Sequence, residues 1–290
     1  MKGPWVAIQR NPTSGTGRRR GVLLELIREL RRRGIRPRLF ASRERMQATL
    51  TDPAARETLV CVLAAGGDGT IGDVVNRFPG VPLATLPLGT ENLLAKYLGI
   101  QPSGVQVAEL IANGSRRTLD LGQLNGRRFT LMASCGFDAA VLQRAHATRR
   151  GNIHKWDYLP PIWHAFRKYE HPPVRVFVND EPQPRIARLL LAFNLPRYAY
   201  GIPFAPQATA EDGELDLCLF ERGSTFQMVR YLGHVLAGRH QLLPDVTCLR
   251  ASRVRIEADV AVPWQMDGDP AGFTPVTLEV LPAALAVFAP

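Results

Sequence analysis

The chain has 290 residues and a formal charge of +10, with 46% hydrophobic and 21% charged residues, the composition of a folded globular protein rather than a disordered or fibrous one. No apolar run, Leu59 to Ala65 and Leu189 to Phe193 included, approaches the roughly 20 residues that span a bilayer. Lysine occurs only at Lys2, Lys96, Lys155 and Lys168, so arginine carries the basic excess; without a recognised nucleic-acid module, that excess points to an anionic membrane surface rather than a dedicated nucleic-acid partner.

In chain order, the first hundred residues repeat one phrase: an apolar strand, a turn rich in small and polar residues, then a helical stripe. Trp5 to Gln9 leads through NPTSGTG (Asn11 to Gly17) into a helix whose Val22, Leu23, Leu26, Ile27 and Leu30 share a face, with Gly34 as the stop. Leu59 to Ala65 leads through GGDGT into IGDVVNRF, and Val81 to Pro87 leads through LGTEN into LLAKYL, stopped by Gly99. Continuous apolar strands of this kind suit a parallel sheet covered on both faces, with the three turns on its carboxyl edge. From about Thr118 the texture changes to LDLGQL, an Asn125-Gly126 turn and RFTLMAS. Further strands are expected at Val174 to Val178, Arg188 to Asn194, Leu215 to Phe220, Val254 to Ala258 and Val276 to Val280, with helices at Asp138 to Arg149, Trp156 to Glu170 and Ser224 to Leu236. The expected organisation is α/β plus β: a Rossmann-like N-terminal domain over residues 1–117 and a mostly antiparallel β-sandwich over 118–290.

GGDGT between a buried strand and a helix is the sharpest local signal. Its glycines let backbone approach a phosphate and the helix start presents amides to it. A carboxylate at Asp68 would repel that phosphate unless it served a cation such as Mg²⁺; the alternative is Asp68 as a plain helix N-cap. There is no P-loop signature. The four cysteines, Cys61, Cys135, Cys218 and Cys248, are far apart in sequence and read as buried thiols of a reducing compartment rather than disulfides or zinc ligands; the histidines show no metal spacing. The start shows no secretory signal, and a cytoplasmic location with peripheral membrane attachment is expected. The aromatic and basic mixture from Gln143 to Pro173 could rest on a bilayer or pack as an ordinary amphipathic helix.

NPTSG, GGDGT, PLGTEN, GFDA (Gly136 to Ala139), DGELDL (Asp212 to Leu217) and QMDGDP (Gln265 to Pro270), in this order and spacing, resemble the soluble lipid kinases that include bacterial diacylglycerol kinases, sphingosine kinases and ceramide kinases. The resemblance covers nearly the whole chain. It implies an ATP site in the cleft between the two domains and transfer of the γ-phosphate to a lipid hydroxyl, with diacylglycerol as the default acceptor. Carried over residue by residue, it implies nucleotide contacts at Asn11, Ser14, Gly15, Gly66, Gly67, Asp68, Gly69, Thr70, Gly89, Thr90 and Asn92. It places Mg²⁺ at Asp212 and Asp216, the acceptor beside Gly136, Phe137 and Asp138, and proton transfer at Asp267 or Asp269. Two positions depart from the family pattern: Asp269 stands where glutamate is usual, and Leu93 where many members carry aspartate. Other readings are an NAD kinase, which shares the GGDGT turn, and a catalytically weakened nucleotide- or membrane-binding homologue; oligomeric state is open, a homodimer included.

Overall fold

The computed structural model describes residues 3–10, 20–147, 167–199 and 201–290. The turn carrying Asn11, Ser14 and Gly15, and most of the expected helix Trp156 to Glu170, lie outside the described residues. Contacts divide the chain into two units, Met1–Leu119 with Ala283–Pro290, and Asp120–Pro282. Against the sequence-based boundary at 117/118, the division falls two residues later. The last eight residues return to the first unit because the end of the final strand pairs there.

In the first unit, β1 (Trp5–Arg10), β2 (Arg36–Phe40), β3 (Leu59–Gly66) and β4 (Leu83–Pro87) form a parallel sheet in the order β2-β1-β3-β4, and the end of β16 (Val276–Phe288) adds to β4 in parallel through Val287 and Leu83. The order reverses between β1 and β3, the place where open α/β sheets bind ligands at their carboxyl ends. β3 and β4 are almost wholly buried, as their unbroken apolar sequences require. β2, the sequence RPRLF, was not expected as a strand: its arginines are on the sheet edge, and Arg38 stacks its guanidinium over Phe40 4.9 Å from the ring centroid. Helix α1 (Arg20–Arg32) buries Leu23, Leu26 and Leu30 of the expected stripe, and the chain leaves it through Gly34 at φ +76°. The unit also contains α2 (Arg43–Thr51), α3 (Pro53–Glu57), α4 (Asp68–Arg77), α5 (Leu93–Tyr97) and α6 (Gly104–Asn113). Ser42 and Ser103 cap α2 and α6 by accepting amide hydrogens from Arg45 and Gln106.

The second unit is a sandwich. One sheet runs β12 (Val246–Ala251), β11 (Leu215–Phe220), β10 (Leu189–Phe193), β7 (Met132–Cys135), β14 (Pro263–Met266), β15 (Asp269–Phe273), every pair antiparallel. Its companion joins the start of β16 to β13 (Arg253–Glu257), β8 (Val174–Val178) and β9 (Arg185–Ala187), with β5 (Arg116–Leu124) beside β16 and its hairpin partner β6 (Arg127–Phe129). The expected single strand RFTLMAS is broken at Thr130 and Leu131, for a reason given below. Leu215, Leu217 and Leu219 of β11 pack with Leu190 and Ala192, Val174, Val176 and Val254, and Trp264 in the interior between the sheets. The alternation of a strand then sends Asp216, Cys218 and Phe220 to the opposite face. Helices α7 (Phe137–Ala147) and α8 (Thr225–Leu236) complete the unit, α8 capped by Ser224. No helix among the described residues is long and apolar enough to cross a membrane.

Candidate functional site

The GGDGT and LGTEN turns follow neighbouring parallel strands and are built as one object. Gly66 accepts amide hydrogens from Leu88 at 2.9 Å and Gly89 at 3.2 Å. Gly67 and Gly89 touch backbone to backbone: a Cβ on Gly89 would lie 2.4 Å from Gly67 Cα and 2.8 Å from Asn92 Oδ1. Asn92, left-handed at φ +52°, accepts from the Gly89 amide and donates to the Gly89 carbonyl, both at 2.9 Å. Gly69 is different, exposed in the first turn of α4 with nothing within 4 Å of where its Cβ would stand. The ten-residue helix α4 therefore offers an open N-terminus at the carboxyl edge of the sheet, the arrangement that attracts phosphate. Thr90 is exposed in the third turn.

Asp68 is not the N-cap that the sequence offered as one alternative. Gly67 is the N-cap of α4 and Asp68 its first residue. The carboxylate reaches to the next turn and accepts from the amides of Leu93 at 3.0 Å and Leu94 at 3.2 Å, closing the N-terminus of α5. Burial pushes its pKa up, opposed by those two amides, while Glu91 repels it weakly. Each Asp68 oxygen accepts one amide, so the carboxylate positions the third turn and keeps a lone pair on each oxygen. The Leu93 side chain is buried, while the amide that Asp68 accepts from would be offered by any residue but proline.

Beside this double turn, at the ends of β1 and β2, lies a cleft of about 390 Å³ lined by Gln9, Arg10, Phe40, Ser42, Arg43 and Thr70 among others, within the size range of small-molecule sites. Its lining residue Gln9 is held by Asp73, which accepts from Gln9 at 2.6 Å and from Arg77 at 2.7 Å, while Arg77 also donates to Gln9. Together these bonds hold the Asp73 carboxyl below its ordinary pKa despite the desolvation. Phe40, Ser42 and Arg43 carried no sequence signal, because β2 lacks the apolar run that marked the other strands.

In the second unit the structure separates Asp267 from Asp269. Asp267 and Gly268, at φ +49° and +88°, form the two-residue turn between β14 and β15. The Asp267 carboxylate accepts from the Thr130, Leu131 and Met132 amides at 2.7, 2.8 and 3.1 Å and from the Thr130 hydroxyl at 3.0 Å. Burial still pushes its pKa up to about 6 against those bonds. This is why RFTLMAS breaks: amides that a strand neighbour would take are turned toward one carboxylate. Asp269, by contrast, has a 61% exposed side chain, with His146 Nε2 of α7 3.7 Å away. His146 was missed in the sequence because nothing links it to Asp269 except the fold.

Gly136, Phe137 and Asp138 sit at the junction of β7 and α7. Gly136 has φ +110°, and a Cβ there would lie 2.8 Å from the Arg188 carbonyl oxygen. Asp138 Oδ2 accepts from Ser134 at 2.5 Å and from Gln265 at 3.4 Å, whereas Oδ1 is buried with no partner. Burial pushes the Asp138 pKa up. Phe137 stacks on His171, with centroids 5.8 Å apart, and Tyr169 meets His171 edge-on at 5.0 Å. The Tyr169 hydroxyl and both His171 ring nitrogens are also buried without hydrogen-bond partners among the described residues. An unpaired buried polar group costs about 1–3 kcal/mol, so this cluster would be stabilised by the hydrogen bonds of a ligand or of ordered water.

Asp212 and Asp216 lie near enough for the Asp212 charge to repel that of Asp216, and each carboxylate has partners of its own. Asp212 accepts from the Glu214 amide at 3.1 Å and is ion-paired with Arg250, which also lies 3.2 Å from Glu214. Asp216 is buried on β11, cross-strand from Arg250, and desolvation pushes its pKa up. These hard oxygen donors fit Mg²⁺ in the manner of sites where one or two carboxylates share the ion with substrate phosphates; Asp216 also accepts a hydrogen bond from Gln207, and Arg250 would have to release Asp212.

Residues 6–124 match the model of the diacylglycerol kinase catalytic domain, and residues 132–289 match that of the YegS C-terminal NAD kinase beta sandwich-like domain. A curated diacylglycerol kinase of Mycobacterium tuberculosis is 28% identical, over 97% of this chain and 93% of its own length. One of Bacillus subtilis is 25% identical, over 91% and 89%. A crystal structure described as a diacylglycerol kinase of Bacillus anthracis strain Sterne superposes with a TM-score of 0.71 at 18% identity, covering 99% of this chain and 97% of that one.

Proposed function

Because the chain belongs to the bacterial diacylglycerol-kinase-like family and is a lipid kinase, we propose that it transfers the γ-phosphate of ATP to the hydroxyl of a diacylglycerol-like lipid. The observation that carries the nucleotide half is the open start of α4 beside the locked Gly67–Gly89 contact. The phosphates lie against the α4 amides at Gly69, and the nucleoside enters the cleft between Gln9, Phe40 and Ser42. Mg²⁺, when bound at Asp216 with Asp212, supplies the charge neutralisation that phosphoryl transfer demands.

The acceptor half rests on the unpaired groups around Phe137. Asp138 Oδ1, the Tyr169 hydroxyl and His171 offer hydrogen bonds to a polar glycerol end. Asp269 is the base: its carboxylate is exposed, while Asp267 is committed to four donors. The acceptor oxygen forms its bond to the γ-phosphorus as its proton passes to Asp269; the bond from that phosphorus to the β–γ bridging oxygen breaks, and its electron pair leaves with ADP. Aspartate in place of glutamate sets this base one methylene further back.

Attachment to an anionic bilayer is assigned to α8 rather than to the Gln143 to Pro173 segment, much of which lies outside the described residues. Phe226 is 74% exposed and Leu236 63%, and Val229 and Leu232 share their side of the helix; Leu242, 80% exposed, follows in the next turn. Arg222 and Arg239 flank the stripe in sequence, as the positive charge of the chain and a lipid acceptor would suggest.

The test is transfer of labelled phosphate from ATP to a total lipid extract in mixed micelles with Mg²⁺, products identified by mass spectrometry, with Asp269→Asn and NAD as an alternative acceptor run in parallel. A labelled lipid that disappears with Asp269→Asn is expected. Labelled NAD, or no lipid product while ATP still raises the melting temperature, would overturn the assignment.

A further inference from the structure

The fold brings together three residues that the sequence keeps apart. Cys218 of β11 and Cys248 of β12 are register partners across an antiparallel pair, and their sulfurs lie 3.4 Å apart. His240 opens the single helical turn His240–Leu242 that follows α8; it is 1% exposed, with Nε2 4.0 Å from Cys218 Sγ. The three donor atoms lie within 4.8 Å of one another, the one such gathering of three histidine, cysteine or acidic side chains among the described residues. His240 Nδ1 is buried without a hydrogen-bond partner, so the sulfur pair is the polar environment this imidazole has. Sulfur is a weak hydrogen-bond partner, and a fully buried histidine facing two thiols is poorly satisfied by hydrogen bonding alone.

We propose that Cys218, Cys248 and His240 form a zinc site. Thiolate and imidazole donors select Zn²⁺ over the hard cations that carboxylates hold. Tetrahedral coordination with Zn–S of about 2.3 Å and Zn–N of about 2.0–2.1 Å requires sulfurs about 3.8 Å apart and sulfur–nitrogen separations of about 3.6 Å; the observed 3.4 and 4.0 Å are each about 0.4 Å from those values. Binding releases one proton from each thiol and involves no change of oxidation state, leaving two thiolates, a neutral imidazole and Zn²⁺ with no net charge. Cys248, the half-buried member, gives the route of entry. A disulfide between the two cysteines would account for the sulfurs but leave His240 unexplained. The metal ties the turn after α8 to β11, two residues from Asp216 on the same face.

The experiment uses the full chain, purified with reductant and stripped by chelator, titrated with Co²⁺ and then Zn²⁺. Expected are a near-ultraviolet thiolate-to-cobalt charge-transfer band saturating at one equivalent, its displacement by Zn²⁺, and protection of Cys248 from alkylation when Zn²⁺ is present. Carboxylate-bound cobalt gives no such band, so ions at Asp212 and Asp216 are distinguished. Cys248→Ser and His240→Gln should each weaken Zn²⁺ by at least about 100-fold, a direct ligand being worth more than an outer-shell partner. No charge-transfer band in the unaltered chain, a band unchanged in both variants, alkylation of Cys248 indifferent to Zn²⁺, or a Cys218–Cys248 disulfide in the reduced preparation would each overturn the site.

Discussion

Two glycines in adjoining turns make opposite demands, and alanine at each tests the reading of the nucleotide edge. At Gly89 a methyl would stand 2.4 Å from Gly67 Cα, about 1 Å inside ordinary contact, so the two turns must part. That strain costs about 1–3 kcal/mol, and parting weakens the Leu88-to-Gly66 and Gly89-to-Asn92 bonds at about 1 kcal/mol each. The expected loss of roughly 3–5 kcal/mol lowers the melting temperature by about 6–20 °C on the scale of larger domains. At Gly69 the methyl meets nothing, and alanine in a helix is favoured over glycine by about 0.5–1 kcal/mol, so stability holds or rises. If phosphate lies against this turn, however, the same methyl displaces it by an ångström or more, and phosphoryl transfer falls about 100-fold. Calorimetry and the micelle kinase assay on both variants separate the effects. Gly69→Ala with activity within about twofold of the parent would refute phosphate docking at α4, and an unshifted melting temperature in Gly89→Ala would refute the tight apposition of the turns.

Asp267→Asn should cost about 2–4 kcal/mol of stability in urea titrations, since an amide offers one oxygen to donors that now share two; Asp269→Asn should leave stability unchanged and abolish the acceleration owed to the base, about 100-fold or more in kcat. Asp245 is held by Arg230 through bonds of 2.7 and 2.9 Å and by the Tyr231 hydroxyl at 2.8 Å, which press its carboxyl far below the ordinary range. Its contribution is therefore complete above the unfolded value of about 3.9 and lost as pH falls toward the folded one, so Asp245→Asn should destabilise by about 2 kcal/mol at pH 7, and the gap should narrow steadily as pH falls below about 4. Phe226→Asp and Leu236→Asp should each weaken sedimentation with anionic vesicles at least about tenfold, since burying such a side chain is worth about 1.5–3 kcal/mol, without shifting the melting temperature.

Local pattern was enough for the parts of this protein whose physics is local. The apolar runs of β3 and β4 read as buried parallel strands because both faces are covered, and the α1 stripe and Ser224 at the start of α8 read correctly because helix period and capping act within a few residues. The glycine turns could likewise be placed at strand ends by sequence alone. Which carboxylate is free could not be read there: Asp68 is engaged by an α5 amide 25 residues away, and Asp267 by amides some 135 residues away, while Asp269, two residues on, stays exposed. Hydrogen bonds at such separations leave no periodicity and no fixed spacing. The same holds for Cys218, His240 and Cys248, dismissed on their spacing and then gathered by strand register and one helical turn. The sequence by itself determined the elements with strong local patterns and the chemical vocabulary; the tertiary structure settled weakly patterned elements such as β2 and decided which groups are spent on holding the fold and which are left for a ligand, because that choice depends on partners that only folding brings within about 3 Å.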